Sequence, residues 1–444
     1  MSLLTPVLAR TASATASTSR AFATSTQVLA AKPAANKRMV KQTLGGMKKP
    51  KVATGGGGGR IKVGGIALRP ADVDAPADVS DYIQLYPESL TVANVGKPST
   101  YPNDTVRSLN SFGLPRKIAK EMGYGSPATV IRQSTVDLKK TLDAAKAGSS
   151  KDSRYVLSGA RGSGKSTLLI QAVSYALESG WVVLYEPEAR KWVDSSSAFA
   201  YDDASQTFHQ TQLAAQLLEK LQSINKDRLA SIKLAKAVEV GTTIKLAEGA
   251  KLSELVAAGA KDERLAVPVL EAVLDALATQ TSVPVLFAID DVQCLFQRTK
   301  YRKPDYSLLE SYHLSTPRLL LQYLTGNKNF AKGAIVGSTS LSATDYLPTA
   351  EFLSGLNLET RSAVSPYTKL DEYHLAHAKS GIKTIAVPYG MTGAEAAGMY
   401  DLWTRKGWTV NKSDDVFVNG LAQSAGNPQE MVRGWTLSHA SYIV

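Results

Sequence analysis

Apolar and polar positions change their rhythm at about Ser153. Upstream, from Pro76 to Ser150, short apolar runs mix with Pro and Gly. One helical pattern stands out there, Thr135–Lys146 (TVDLKKTLDAAK), and a polar break at Gly148–Asp152 ends it. Downstream the chain alternates. Arg154–Ser158, Val182–Tyr185, Val283–Ile289 and Gly333–Gly337 are short apolar runs of strand type, separated by segments of helical character. Such alternation predicts a parallel sheet covered by helices. Residues 207–279 read as mainly helical and rich in Ala, Leu and Lys. Phe208, Leu213, Leu217, Leu221 and Ile224 keep close to a helical period, and the section is too long for a simple crossover, so part of it reads as an insertion. Beyond about Lys383 the pattern becomes helical, with Trp403, Trp408 and Trp435, which predicts a small separate subdomain. No internal repeat is visible.

Composition narrows the class. Across 444 residues, 44% hydrophobic and 20% charged positions suit a globular chain of two or three units and exclude a disordered one. No run approaches the ~20 uninterrupted apolar residues of a bilayer-spanning helix. A single cysteine, Cys294, excludes an internal disulfide framework and a cysteine-based metal site. The net charge of +12 is unevenly spread. Twelve basic residues precede the first acid, Asp72, and beyond that point the 39 acids are matched by as many bases. The excess therefore lies in the N-terminal segment, and composition does not announce a nucleic-acid-binding core.

Residues 1–31 are rich in Ser, Thr and Ala, carry spaced arginines and contain no acid. Leu3, Leu4, Val7 and Leu8 can form one apolar stripe beside Arg10. This is the composition of a mitochondrial transit peptide, and Arg20-Ala21-Phe22-Ala23 resembles a matrix processing site. Residues 32–74 follow as a basic tail with five consecutive glycines, Gly55–Gly59. The tail could bind phosphates by counterion release, and a solvated linker explains the same composition. The predicted organisation is transit peptide 1–31, tail 32–74, N-terminal extension 75–150, main α/β domain 151–382 with its insertion at about 207–279, and helical lid subdomain 383–444.

The sharpest chemical signal is Gly159-Ala160-Arg161-Gly162-Ser163-Gly164-Lys165-Ser166, which matches G-x-x-x-x-G-K-[ST]. It lies between the strand-like YVLS and the helix-like STLLIQAVSYALES, the context a phosphate-binding loop requires. Glycines let the backbone wrap its N–H groups around phosphate oxygens, and the following helix adds its positive end. Lys165 would neutralise the β- and γ-phosphates, and the Ser166 hydroxyl would ligate Mg²⁺. Gly159, Arg161, Gly162, Ser163, Gly164, Lys165, Ser166 and Thr167 are thus the predicted nucleotide site. A partner carboxylate ends the run VLFAIDD: Asp290 is the candidate that holds Mg²⁺ through its water shell. Asp291 stands where ATPases of the AAA+ type usually carry a glutamate that activates water. Being one methylene shorter, it is a catalytic candidate of limited reach.

Weaker signals surround this pair. Ser338 and Thr339 follow the apolar run Ala334–Gly337, where a hydroxyl can sense the γ-phosphate or simply cap a strand. Gly426-Asn427-Pro428 opens a helix and is similar to the Gly-x-Pro lid motif of AAA+-related proteins, making Asn427 and Pro428 nucleotide-site candidates and Arg433 a possible lid arginine. Glu372, His374 and His377 invite a metal reading, although His-x-x-His without a third ligand is usually polar surface. Asn327-Lys328 is followed by Asn-Phe and so lacks the aspartate of a GTPase base-reading loop. The base is left open.

The segment Gly159–Trp192, together with Val285–Phe296 (VLFAIDDVQCLF), YHLSTPRLLLQYL and the C-terminal part with Trp403 and Asn427-Pro428, resembles the death-associated-protein family of mitochondrial small-ribosomal-subunit proteins in its fungal form. The likeness covers most of residues 110–444. It implies an AAA+-like P-loop NTPase fold with a parallel sheet, a helical insertion and a C-terminal helical lid. It further implies GTP or GDP with Mg²⁺ as ligand, ATP being possible, and a structural place in the head of the mitochondrial small subunit. Implied partners are small-subunit proteins, ribosomal RNA and, through intersubunit bridges, the large subunit. Slow or absent hydrolysis is expected. A mitochondrial AAA+-type motor or signalling NTPase is the competing class, and a nucleic-acid translocase a third that lacks its motif series downstream.

Overall fold

The computed structural model describes residues 61–63, 66–68, 79–123, 126–342, 344–358, 367, 369–407, 409 and 413–435. The leader 1–31, most of the tail 32–74, and Trp408 lie outside the described residues. Within the tail, Ile61–Val63 and Ile66–Leu68 pair as an antiparallel hairpin.

Five parallel strands form the central sheet: β1 (Arg154–Ser158), β2 (Val182–Glu186), β3 (Val285–Asp290), β4 (Gly333–Ser338) and β5 (Lys383–Ala386). Their spatial order is β5-β1-β4-β3-β2. The four apolar runs of the sequence are the four inner and neighbouring strands. The fifth corrects the purely helical expectation for the chain beyond Lys383. Edge strand β5 pairs with β1 and is largely exposed, so its residues lack the apolar run that marks a buried strand. All six positions of β3 and of β4 are buried, as a sheet covered on both faces demands.

The helices used below are α1 (Asn103–Phe112), α2 (Arg116–Gly123), α3 (Gln133–Ala145), α4 (Lys165–Glu178), α5 (Thr211–Ile224), α6 (Leu252–Lys261), α7 (Ala266–Thr279), α8 (Ser315–Thr325), α9 (Gly393–Arg405), α10 (Asp414–Ser424) and α11 (Pro428–Trp435). Side chains alternate across the sheet with the period of two that strands impose. Leu286 and Ala288 of β3 join a core with α1, α3 and α4. Val285, Phe287 and Ile289 join the opposite core with α5, α6, α7 and α8. The section 207–279 thus covers one face of the sheet. It also holds a hairpin, Val238–Val240 with Ile244–Leu246, that a helical reading did not predict.

A three-stranded sheet (Ile83–Gln84, Pro98–Thr100, Ala128–Val130) precedes α3. Its Val130 packs in a third core with Met391, Ala396, Trp403, Met431, Val432 and Trp435 of the C-terminal helices. The N-terminal extension therefore shares one core with α4 and another with the C-terminal helices. Among the described residues no helix is long and apolar enough to cross a membrane.

Candidate functional site

Every inner strand ends its carboxyl edge on a polar residue: Ser158, Asp290 and Ser338 lie in adjoining strands, and Ser338 stands level with both Asp290 and Leu157. Open parallel sheets bind ligands beyond this edge. Here β1 hands over to α4 through residues 159–164. Gly164 takes φ +91° at the N-cap of α4, and Gly162 takes φ +80°. At Gly162 a Cβ would lie 2.5 Å from Asn427 Oδ1, so both conformation and space require glycine. The Lys165 ammonium folds back across the loop and donates to the carbonyls of Gly159 (2.9 Å) and Ala160 (2.7 Å).

Asp290 ends β3 in a buried position, and the hydroxyls of Ser166 and Ser338 face its carboxylate. The serine and the acid predicted to share a Mg²⁺ ion are thus neighbours. Burial and the like charge of Asp291 push the Asp290 pKa above the ordinary range. Asp291 behaves differently from an exposed catalytic acid. It is buried, takes a left-handed φ of +58°, and lies 3.8 Å from Arg190 Nε. Arg190 in turn bonds Glu188 at 2.6 Å. Burial raises the Asp291 pKa, and Arg190 opposes the rise. Thr339 donates its hydroxyl to the Leu157 carbonyl at 3.0 Å, so this threonine caps the neighbouring strand.

The C-terminal helices hold the loop from the other side. Asn427 is buried; its Nδ2 donates to the Arg161 carbonyl (3.0 Å), while its Oδ1 accepts from the N–H groups of Gln429 and Glu430. The Gln429 N–H donates to the Gly162 carbonyl at 3.2 Å. One side chain therefore caps α11 and ties it to the glycine loop.

Sequence reasoning missed the support behind the loop. Arg132, just ahead of α3, is buried and donates from Nη1 to the Ser163 carbonyl at 2.6 Å. Its Nε lies 3.6 Å from Glu395 on α9, which also accepts from the N–H groups of Gln133 (2.8 Å) and Thr392 (3.0 Å). Burial lowers the Arg132 pKa and the Glu395 charge opposes this. On the buried side of α4, Gln171 donates to Thr129 Oγ1 and the Val130 carbonyl and accepts from Thr135. Apart from the Thr392–Glu395 capping box, no local pattern marks these residues, because their partners lie at least 31 positions away.

These elements enclose a cleft of about 200 Å³. Arg161, Gly162, Gly164, Lys165, Ser166 and Thr167 line it, as do Pro428 and Arg433. Ile118, Met399, Trp403 and Val432 supply apolar surface, and Lys117 and Glu121 of α2 add charge. Predicted Ser163 is fully buried and offers its backbone to Arg132 instead. Arg433 lies 3.8 Å from Glu430.

The other candidates lie elsewhere. Lys328 pairs with Glu271 (3.0 Å) and Asp275 (2.9 Å) of α7. Of Glu372, His374 and His377, which sequence favoured as polar surface, only His374 joins a group of possible ligand atoms, with Glu310 and Asp371. Buried His374 pairs with Glu310 at 3.2 Å, near Asp371, and Arg298 holds the other Glu310 oxygen at 2.8 Å. His377 lies against the Tyr373 carbonyl.

The architecture defines an α/β protein with a glycine-rich loop opening a buried helix, an acid on the next-but-one strand and a C-terminal helical clamp. Residues 129–434 match the family described as mitochondrial ribosomal death-associated protein 3, and the chain belongs to that family. Its relatives include the small ribosomal subunit protein mS29 of Schizosaccharomyces pombe, 26% identical over 354 residues (78% of this chain and 72% of that protein). The Neurospora crassa mS29 is 25% identical over 345 residues, 75% of this chain and 72% of its own length. Mouse mS29 is 27% identical over 290 residues, 62% and 72% respectively. The protein is mitochondrial.

Proposed function

We propose that this protein is a structural component of the mitochondrial small ribosomal subunit, built around a bound nucleotide that it turns over slowly or not at all. The ribosomal part rests on the family and on relatives named as small-subunit proteins. The nucleotide part rests on one observation: the glycine loop, Lys165 and Ser166 line one cleft, buried Asp290 faces the Ser166 hydroxyl from behind, and Asn427 clamps the loop. Backbone N–H groups of residues 162–167 would receive the phosphates of GTP, GDP or ATP, Lys165 would exchange its loop carbonyls for phosphate oxygens, and Ser166 with Asp290 would hold Mg²⁺. The ion would neutralise phosphate charge. Asp291 is buried against Arg190 and does not line the cleft, so it is poorly placed to meet a water beside the phosphates, which favours a fold-stabilising ligand over an enzyme's substrate. Within the subunit, a head position with intersubunit bridging is the assignment we adopt, with ribosomal proteins and RNA as neighbours.

Two measurements test this. Lys165→Ala should lose bound nucleotide, because charge-assisted bonds to phosphate disappear; equal retention by wild type and variant would make the loop vestigial. The native protein should co-sediment with mitochondrial small subunits in a sucrose gradient. Migration only as a free monomer or ring, with steady turnover near ~1 s⁻¹, would favour a motor NTPase instead.

A further inference from the structure

The GTPase base-reading sequence is missing from this chain, and Lys328, the nearest match to it, is bound to Glu271 and Asp275. If a nucleotide occupies the cleft, other residues must meet its base. The cleft surface beyond the glycine loop includes Ile118, Met399, Trp403 and Val432, which suit a planar heterocycle. Among them stands Glu121. Its carboxylate is half-buried and accepts no hydrogen bond from any described residue; its charge is balanced at longer range by Lys406 and Lys117. Lys406 itself donates to the Glu121 backbone carbonyl at 3.3 Å. A carboxylate drawn out of water is costly unless something donates to it.

We propose that Glu121 reads the base and selects guanine over adenine, an inference that rests on the nucleotide reading above. Guanine presents two adjacent donors, N1–H and the 2-amino group, which match the two oxygens of one carboxylate. Adenine presents a lone pair at N1, which a carboxylate repels. Lys117 lies one helical turn before Glu121, lines the same cleft, and can donate to the guanine O6. Burial raises the Glu121 pKa to about 7, against the opposing pull of Lys406 and Lys117. The selecting residue would thus come from the N-terminal extension, outside the strands and helices that hold the phosphates.

The test is equilibrium binding of GDP, IDP, ADP and XDP to the purified chain, as wild type and as Glu121→Gln. Wild type should bind GDP roughly 10–100-fold more tightly than ADP, the range a bidentate contact to a base edge supplies. IDP lacks the 2-amino group and should bind more weakly than GDP. In Glu121→Gln the GDP-over-IDP and GDP-over-ADP preferences should shrink. XDP, which carries a carbonyl at position 2, should gain affinity from the glutamine amide. The GDP-to-IDP comparison in wild type needs no variant, so a folding defect in Glu121→Gln does not remove the test. Wild type binding GDP, IDP and ADP equally would overturn the base reading and leave the nucleotide site standing. Binding of none of them would overturn the nucleotide reading itself.

Discussion

Arg132 shows how much of the site depends on a single buried charge. Its guanidinium supports the Ser163 carbonyl and meets Glu395, whose carboxylate is also buried. Breaking one side of a buried pair costs more than removing both, because the survivor remains charged and desolvated. Arg132→Met should therefore lose ~3–5 kcal/mol in urea denaturation, and Glu395→Gln added to it should restore a large share. Glu121 carries a second expectation. Its folded pKa of about 7 lies above the ordinary 4.5, so in the free protein its contribution to stability is full below about 4.5 and is lost as pH rises through about 7. A base that donates two N–H groups favours the ionised form, so binding expels a proton. GDP affinity should rise as pH climbs from 6 through 7, where Lys117 and Lys406 face the group and burial lowers the Lys406 pKa to about 8, and Glu121→Gln should flatten that rise measured by calorimetry.

Elements act here as holders of one another. Helix α11 would be marginal alone at eight residues. Asn427 gives it an N-cap and ties that cap to the glycine loop, while Pro428 starts it with a pre-set φ. Asn427→Ala should cost about 1–2 kcal/mol for the lost cap and, in addition, speed amide hydrogen exchange in residues 159–167. Faster exchange confined to α11 would mean that the loop holds its shape unaided. Gly426-Asn427-Pro428 was legible as a helix start because capping is local chemistry. The clamp on Arg161 was not, since the two residues are 266 positions apart.

At the scale of the molecule, charge is divided between the N-terminal segment and the balanced remainder of the chain. If the tail supplies phosphate contacts and the folded surface docks mainly on proteins, deleting residues 32–70 should weaken particle association and flatten its salt dependence, because fewer counterions are released. Nucleotide binding should survive, since Glu121 and the glycine loop lie beyond the deletion. An unchanged salt slope would assign the phosphate contacts to the folded surface.

The sequence by itself determined the parallel α/β character, four strands of the sheet, the glycine loop with Lys165, and the pairing of Ser166 with Asp290. Each rests on spacing or on an apolar run, signals that short-range sterics and burial write into neighbouring residues. Only the tertiary structure decided β5, the Arg132–Glu395 support, the capture of Asp291 by Arg190, and the arrival of Glu121 in the cleft. An edge strand needs no apolar run, and a buried polar residue is chosen by partners the fold brings from far along the chain. Two aspartates adjacent in sequence, Asp290 and Asp291, consequently face different neighbours: one Ser166 at the start of α4, the other Arg190, which bonds Glu188 just beyond β2.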